Sequence, residues 1–243
     1  MAEFPKQAKV VIVGLGGIVG SSIAHHLIEL GWDDIVGLDK SAIPTDIGST
    51  SHASDFCYTT GADKFTAYTT QYSQQFFESR GNYVRCGGLE VARVDDDARM
   101  LELKRKIGQG KAFGSRVSLI SPAEAKAKFP LLAEDQIQGA LWDPDAGLVV
   151  PRSQKVAGDL VDEAVASGKL KAFPNTPALK IVVDAGRVIG VETRRGFIAS
   201  EKVVLSVGIW GPLLADQVGS KLPLMPLEHP LLFFGPYDEL TGS

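Results

Sequence analysis

Apolar positions along the chain fall into runs and stripes that predict alternating strands and helices. Residues 8–14, AKVVIVG, form a short apolar run ending in glycine, and in the stretch that follows Ile18, Ile23, Leu27 and Leu30 recur at helical spacing up to Gly31. DDIVGLDK then reads as a second buried strand ending at Asp39, so the first 40 residues predict one βαβ unit. Residues 63–80 carry Phe65, Tyr68, Tyr72, Phe76 and Phe77 at helical spacing, a stripe expected to pack into the core. YVRCGGLEVARV predicts strands around Gly87-Gly88, and DDDARMLELKRKIGQG an amphipathic helix with acids at its start. Ser121-Pro122-Ala123-Glu124 is a capping box with proline in the first turn, which starts a further short helix. From residue 140 the pattern predicts a loop and a long helix, then four strands with a hairpin turn at Asp184–Arg187 and another turn at Arg194–Gly196. VVLSVGIWGPLL reads as strand, turn and helix, and LPLMPLEHPLLFFGP as an apolar strand interrupted by Glu228-His229-Pro230.

Composition narrows the class. The chain has 243 residues, 44% hydrophobic and 22% charged, with a net charge of −4, enough apolar material for a substantial core. An acidic balance without a basic stripe argues against nucleic acid and anionic membranes as partners. No apolar run approaches the ~20 residues of a membrane span, and MAEFPKQAKV lacks the layout of a secretory leader. An intracellular protein is expected, cytoplasmic or, alternatively, mitochondrial. Cys57 and Cys86 are too few for a disulfide framework or a thiolate metal cage and are expected to be buried as small apolar residues. His25 and His26, adjacent on one helix, point about 100° apart and cannot jointly hold a metal; no metal site is expected. No repeat or flexible linker is visible, so a second domain would be inserted rather than appended.

The first chemical signal is the glycine cluster in VVIVGLGGIVGSS. A dinucleotide-binding turn needs glycine where the strand turns, where backbone approaches pyrophosphate, and where helix packs on strand. Gly14, Gly16, Gly17 and Gly20 give G-x-G-G-x-x-G, one residue longer than the usual spacing; read backward from Gly20, Leu15 holds the first glycine's place. The cluster follows a strand, opens a helix, and has Asp39 after the next strand to accept ribose hydroxyls. Its alternative is a tight turn that needs glycine for steric reasons alone.

Two histidines stand out. His52 lies in STSHAS at the distance where a nucleotide's far end would fall, although a histidine among Ser and Thr also fits a hydrogen-bonded loop residue. His229 and Glu228 interrupt an apolar segment, the pattern of either a hydrogen-bonded core pair or an active site.

VVIVGLGGIVGSSIAHHL, Asp39, GSTSHAS, GRVIGVET and VVLSVGIWG occur in the order found in FAD-dependent amine oxidoreductases of the D-amino-acid-oxidase fold, and GGLEVAR and DPDAGLV strengthen the likeness. The chain most resembles dimethylglycine and sarcosine dehydrogenases and dimethylglycine oxidases. The resemblance implies an α/β fold: a Rossmann-like FAD-binding domain over 1–80 and 140–220, with an inserted α+β substrate domain represented by 81–139 and 221–243. It implies FAD contacts at Gly14, Gly16, Gly17, Ile18, Val19 and Gly20, at Asp39 and Lys40, at Gly48, Ser49, Thr50 and Ser51, and at Ala178 and Gly208. It implies covalent attachment of FAD through His52, and His229 as an active-site residue that orients or deprotonates the amine. A neutral imidazole is a nucleophile near neutral pH, which suits it to such a bond. The implied reaction oxidises the N-methyl group of a small secondary or tertiary amino acid by hydride transfer to flavin. Relatives also carry further substrate-domain strands and a folate-dependent region, so a chain truncated at its C-terminus is expected, with a folate or electron-acceptor partner reached through the missing region. The alternatives are a truncated, non-catalytic nucleotide-binding chain and an NAD-dependent dehydrogenase, since Asp39 suits either dinucleotide.

Overall fold

The computed structural model describes residues 3–61, 63–228, 230–232 and 234–240. In chain order the elements are β1 (Val10–Val13), α1 (Ile18–Glu29), β2 (Ile35–Leu38), β3 (Phe56–Cys57), α2 (Lys64–Ser79), β4 (Tyr83–Arg85), β5 (Gly88–Arg93), α3 (Asp97–Ala112), β6 (Ser118–Ile120), α4 (Pro122–Lys128), β7 (Ile137–Asp143), β8 (Gly147–Val149), α5 (Ser153–Ala166), β9 (Leu170–Phe173), β10 (Ala178–Asp184), β11 (Arg187–Thr193), β12 (Gly196–Ala199), β13 (Val203–Leu205) and α6 (Gly211–Ala215). They form two units, Met1–Ser54 with Pro151–Leu231 and Asp55–Val150 with Leu232–Ser243. The crossings thus fall at 54/55 and 150/151 rather than near 80 and 140. The reason is strand pairing: β3 and β4 both hydrogen-bond to β8, which joins 56–57, 83–85 and 147–149 in one antiparallel sheet.

The first unit is built on a parallel sheet in the order β13-β1-β2-β9. Every residue of β1 and β2 is buried, as parallel strands covered on both faces require. Alternation along β1 sorts its side chains. Val10 and Ile12 join Leu15, Ala24, Ile35, Val161, Ala164 and Leu170 on the face covered by α1 and α5. Val11 and Val13 join Val36, Leu38, Phe173, Val191 and Ile198 on the other. That second face is covered by the antiparallel meander β10-β11-β12. Its first hairpin turns at Ala185 and Gly186, with φ of 47° and 77°, the two left-handed residues of a type I′ turn. Truncating fully buried Ile12 to alanine would cost about 2–5 kcal/mol.

The second unit holds two three-stranded antiparallel sheets, β3-β8-β4 and β5-β7-β6, with α2, α3 and α4. Helix α3 starts on Asp96, whose side chain accepts from Arg99 N–H, and α4 on the Ser121/Glu124 capping box. The segment GALWDPDAGLVV, expected as a loop, instead contributes most of β7 and all of β8. Its turn is fixed by Asp143. This fully buried carboxylate accepts from Thr59 N–H at 2.7 Å, from the Thr59 hydroxyl at 2.9 Å and from Asp145 N–H at 3.1 Å.

Three expectations are corrected. Of the aromatic stripe of α2, Phe65, Tyr68 and Tyr72 are exposed and Phe76 and Phe77 half-buried, while Ala67 and Gln74 form the helix's buried side. Cys86 is exposed and Cys57 half-buried rather than interior, because β3 and β4 are the edges of a small sheet. Among the described residues of 221–236 there is no strand, and Met225 and Leu227 are exposed; no ladder partner lines up with them.

Candidate functional site

The site grows from the end of β1. Gly14 has φ of 91°, and a Cβ there would lie 2.4 Å from the Ser206 carbonyl oxygen, so only glycine serves. The turn is closed by Gly14 and Leu15 N–H groups, which donate to Leu38 O at 2.8 and 3.0 Å. A Cβ on Gly20 would lie 2.1 Å from Gly14 O, which sets the close packing of α1 on β1. Leu15, in the place usually held by a glycine, is fully buried, and a Cβ on Gly37 would meet its Cδ2 at 2.3 Å. A glycine in β2 therefore makes room for the leucine that departs from the usual spacing.

Gly17 is the N-cap of α1 and supplies no side-chain cap, and the first turn holds no acid. The helix start consequently presents the main-chain N–H groups of Gly17, Val19 and Gly20 under a positive dipole end, the arrangement that receives phosphate, while the Ile18 N–H is taken by the Thr50 hydroxyl. Asp39 directly follows β2 and is buried; Oδ2 accepts from Gly16 N–H at 2.9 Å, and Oδ1 accepts from Ser41 N–H at 2.9 Å and the Ser41 hydroxyl at 3.0 Å. The carboxylate stands next to the phosphate-type turn, where it can accept hydroxyl hydrogens. Lys40 points elsewhere: its Nζ lies 3.3 Å from the centroid of the Trp210 ring.

The loop carrying Gly48, Ser49, Thr50, Ser51 and His52 is seated on the same turn. Thr50 Oγ1 accepts from Ile18 N–H at 3.0 Å, and Thr45 N–H donates to Gly16 O at 3.0 Å. Within the loop, the Ser51 hydroxyl donates to Gly48 O at 2.8 Å and His52 Nδ1 lies 3.0 Å from the same oxygen. A carbonyl only accepts, so Nδ1 carries a hydrogen, and in the neutral ring Nε2 is then the nitrogen with the lone pair, on an exposed side chain.

The remaining expected residues belong to the same unit. Thr176 N–H donates to Asp39 O at 2.7 Å, and two residues on Ala178 begins β10, packed against the Val11/Val13 face of the sheet. Gly208, with φ of 52°, follows Ser206, whose hydroxyl donates to Val13 O at 3.0 Å and Gly14 O at 3.1 Å. Val19 is exposed in the first turn of α1. His229 lies outside the described residues, and its neighbour Glu228 is exposed. His26 Nδ1 is 2.7 Å from Ser22 O, and the largely buried His25 ring reaches Glu29 at 3.3 Å and Glu163 of α5 at 3.7 Å, so the two rings make separate contacts on and beside α1.

Sequence reasoning missed Thr45, Arg152, Gln154 and Ser206. Gln154 Nε2 donates to Thr45 O at 2.8 Å, and Arg152 Nη2 lies 3.4 Å from both Ser51 O and Ala53 O. No local spacing marks the contacts of Arg152, Gln154 and Ser206, since their partners lie about a hundred or more positions away. The donor set as a whole fits a dinucleotide: main-chain N–H groups for phosphates, a carboxylate for ribose hydroxyls and a nucleophilic nitrogen at the loop end.

Comparison with known proteins bears on this geometry. The chain is 31% identical over 243 residues to the mitochondrial pyruvate dehydrogenase phosphatase regulatory subunit of Mus musculus, a match covering 96% of this chain and 27% of that protein. It is 31% identical over 238 residues to the mitochondrial sarcosine dehydrogenase of Homo sapiens, covering 93% and 25% respectively. The L-proline dehydrogenase of P. horikoshii superposes with a TM-score of 0.79 at 26% identity, over 89% of this chain and 57% of that one. The chain thus spans about a quarter of the length of these curated relatives. Residues 9–242 match the DAO family, described as FAD dependent oxidoreductase. With the glycine turn, the ribose-type acid and the seated loop all on the matched stretch, the chain belongs to the DAO family of FAD-dependent oxidoreductases.

Proposed function

We propose that this chain binds FAD on the α1 turn and, as part of an amine oxidoreductase, serves oxidation of the N-methyl group of a small secondary or tertiary amino acid such as sarcosine or dimethylglycine. The observation that carries the reading is the Thr50–Ile18 hydrogen bond, which seats the His52 loop on the start of α1. The relatedness to sarcosine dehydrogenase supports the substrate class, and the family favours FAD over NAD. FAD, when bound, supplies the two-electron acceptor for hydride from the N-methyl carbon. The chain's own residues do the rest. The N–H groups of the α1 turn hold the phosphates, Asp39 the ribose, and backbone near Ala178 and Gly208 lines the adenosine end. His52 is the attachment point for the cofactor. His229 takes the amine's N–H proton before hydride leaves carbon. A folate or electron-acceptor partner belongs to the same reading, as does an intracellular setting, cytoplasmic or mitochondrial; the two mitochondrial relatives support the latter.

The test is the full chain expressed with FAD and precipitated with acid. The pellet stays yellow, and the His52→Ala pellet is colourless while its supernatant contains flavin. Complete release of flavin from the unsubstituted chain removes the covalent bond from the reading. A second reading, a nucleotide-binding regulatory chain without turnover, draws on the 96% coverage by the phosphatase regulatory subunit match. It predicts no oxidation of sarcosine or dimethylglycine under conditions where FAD is bound.

A further inference from the structure

The loop between Thr45 and Ala53 has no helix or strand of its own, and a loop of that length costs ordering entropy unless it is held. It is held on one side by the α1 turn, through Thr45 and Thr50. On the other side both of its ends are gripped by the start of α5. The Gln154 amide donates to Thr45 O at 2.8 Å in a half-buried setting, and the Arg152 guanidinium spans Ser51 O and Ala53 O, 3.4 Å from each. The two carbonyls that Arg152 bridges flank His52. We propose that the first turn of α5 is a clamp, and that Gln154 and Arg152 are positioning residues that set the orientation of the His52 ring for attachment to a flavin.

The division of labour follows from the chemistry of the two donors. Gln154 fixes where the loop starts, with a short neutral hydrogen bond whose loss leaves a carbonyl unpaired. Arg152, the residue just before α5, holds main-chain oxygens on either side of position 52, so peptide rotation there is restrained. Peptide rotation is what would carry the ring away from Gly48 O, and that contact requires a hydrogen on Nδ1, with the Ser51 hydroxyl oxygen also 3.0 Å from the same nitrogen. The inference rests on the reading of His52 as the attachment point, and the experiment separates the two.

The variants are Gln154→Glu, which keeps the shape and removes the donor, Arg152→Met, and Arg152→Lys as the conservative form. Two readouts are taken on the full chain. The first is the fraction of total bound flavin that survives acid. The second is the 15N spectrum of the imidazole rings without FAD; the chain has four histidines, so His52→Ala identifies its signals. The expected result is a fall of about tenfold in the acid-stable fraction for Gln154→Glu and Arg152→Met, partial recovery in Arg152→Lys, and a His52 ring that shifts from the Nδ1–H form to a mixture of tautomers. A residue that only stabilises the fold would lower total bound flavin and leave the fraction unchanged, and that outcome overturns the clamp. If the unsubstituted chain holds no acid-stable flavin, attachment through His52 falls. The clamp then stands or falls on whether the variants move the His52 ring signals.

Discussion

The main-chain N–H of Ile18 donates to the Thr50 hydroxyl at 3.0 Å across 32 residues of sequence. Ile18 opens α1, so its N–H is one of the donors a helix cannot satisfy internally, and Thr50 serves as a cap from a distant loop. Thr50→Val keeps the shape and removes the acceptor. The expected loss is about 0.5–2 kcal/mol, which at this chain length lowers Tm by roughly 2–4 °C per kcal/mol. A melting curve that overlays the parent's would show that the bond does not hold the loop.

Two helical glycines should respond to alanine with opposite signs. Gly20 in α1 would place a Cβ 2.1 Å from Gly14 O, on main chain that cannot step aside. Gly108 in α3 would place one with nothing within 4 Å. Intrinsic helix preference favours alanine at both by about 1 kcal/mol. Overpacking costs roughly 1–3 kcal/mol and reverses that gain at Gly20. Urea unfolding of both variants checks the pair: Gly108→Ala raises the midpoint and Gly20→Ala lowers it.

The sequence made legible whatever depends on near neighbours. The strand–glycine–helix opening, the Ser121 capping box and the Ala185-Gly186 hairpin are local patterns, and each is found in place. The spacing of the four opening glycines is explained by Gly37, 22 positions from Leu15 in the chain, where a Cβ would lie 2.3 Å from the leucine's Cδ2. The clamp of Arg152 and Gln154 on the His52 loop was not legible, because it joins residues 99 to 109 positions apart. Spacing also placed the α2 aromatics on one face without telling which face is inside. Tertiary packing chose the side bearing Ala67 and Gln74, where Gln74 Nε2 donates to Asp145 O at 3.1 Å.

That reversal gives a third prediction. Phe65 is 76% exposed and Tyr68 66% exposed on α2, so Phe65→Gln and Tyr68→Gln should change unfolding free energy by less than about 0.5 kcal/mol, as surface substitutions do. Leu103→Ala on α3, fully buried, should cost about 2–5 kcal/mol. Denaturant midpoints measured side by side test the assignment; a loss of stability in the glutamine variants like that of Leu103→Ala would return the stripe to the core.

The fourth prediction concerns acid. Asp145 is buried and receives hydrogen bonds from Arg116 and Arg85. The Arg116 hydrogen bond, opposed in part by burial, is the main reason its carboxyl is held below the usual range. A depressed folded-state pKa means that the folded chain binds fewer protons than the unfolded chain in this window, so stability rises with pH through it. The contribution is fully present above the unfolded carboxyl pKa of about 3.9 and is lost as pH falls through the lower folded value. Glu78, Glu102 and Glu124 shift the same way from hydrogen bonds on the exposed surface, where screening keeps their contributions small. Asp145→Asn removes the one titrating group of this set that is buried between two guanidinium groups. Its urea midpoint should therefore sit below the parent's near neutral pH and converge on it toward about pH 2, because the parent loses what the variant never had. Two curves that stay parallel across that range would show that the ion pairs contribute nothing that titrates.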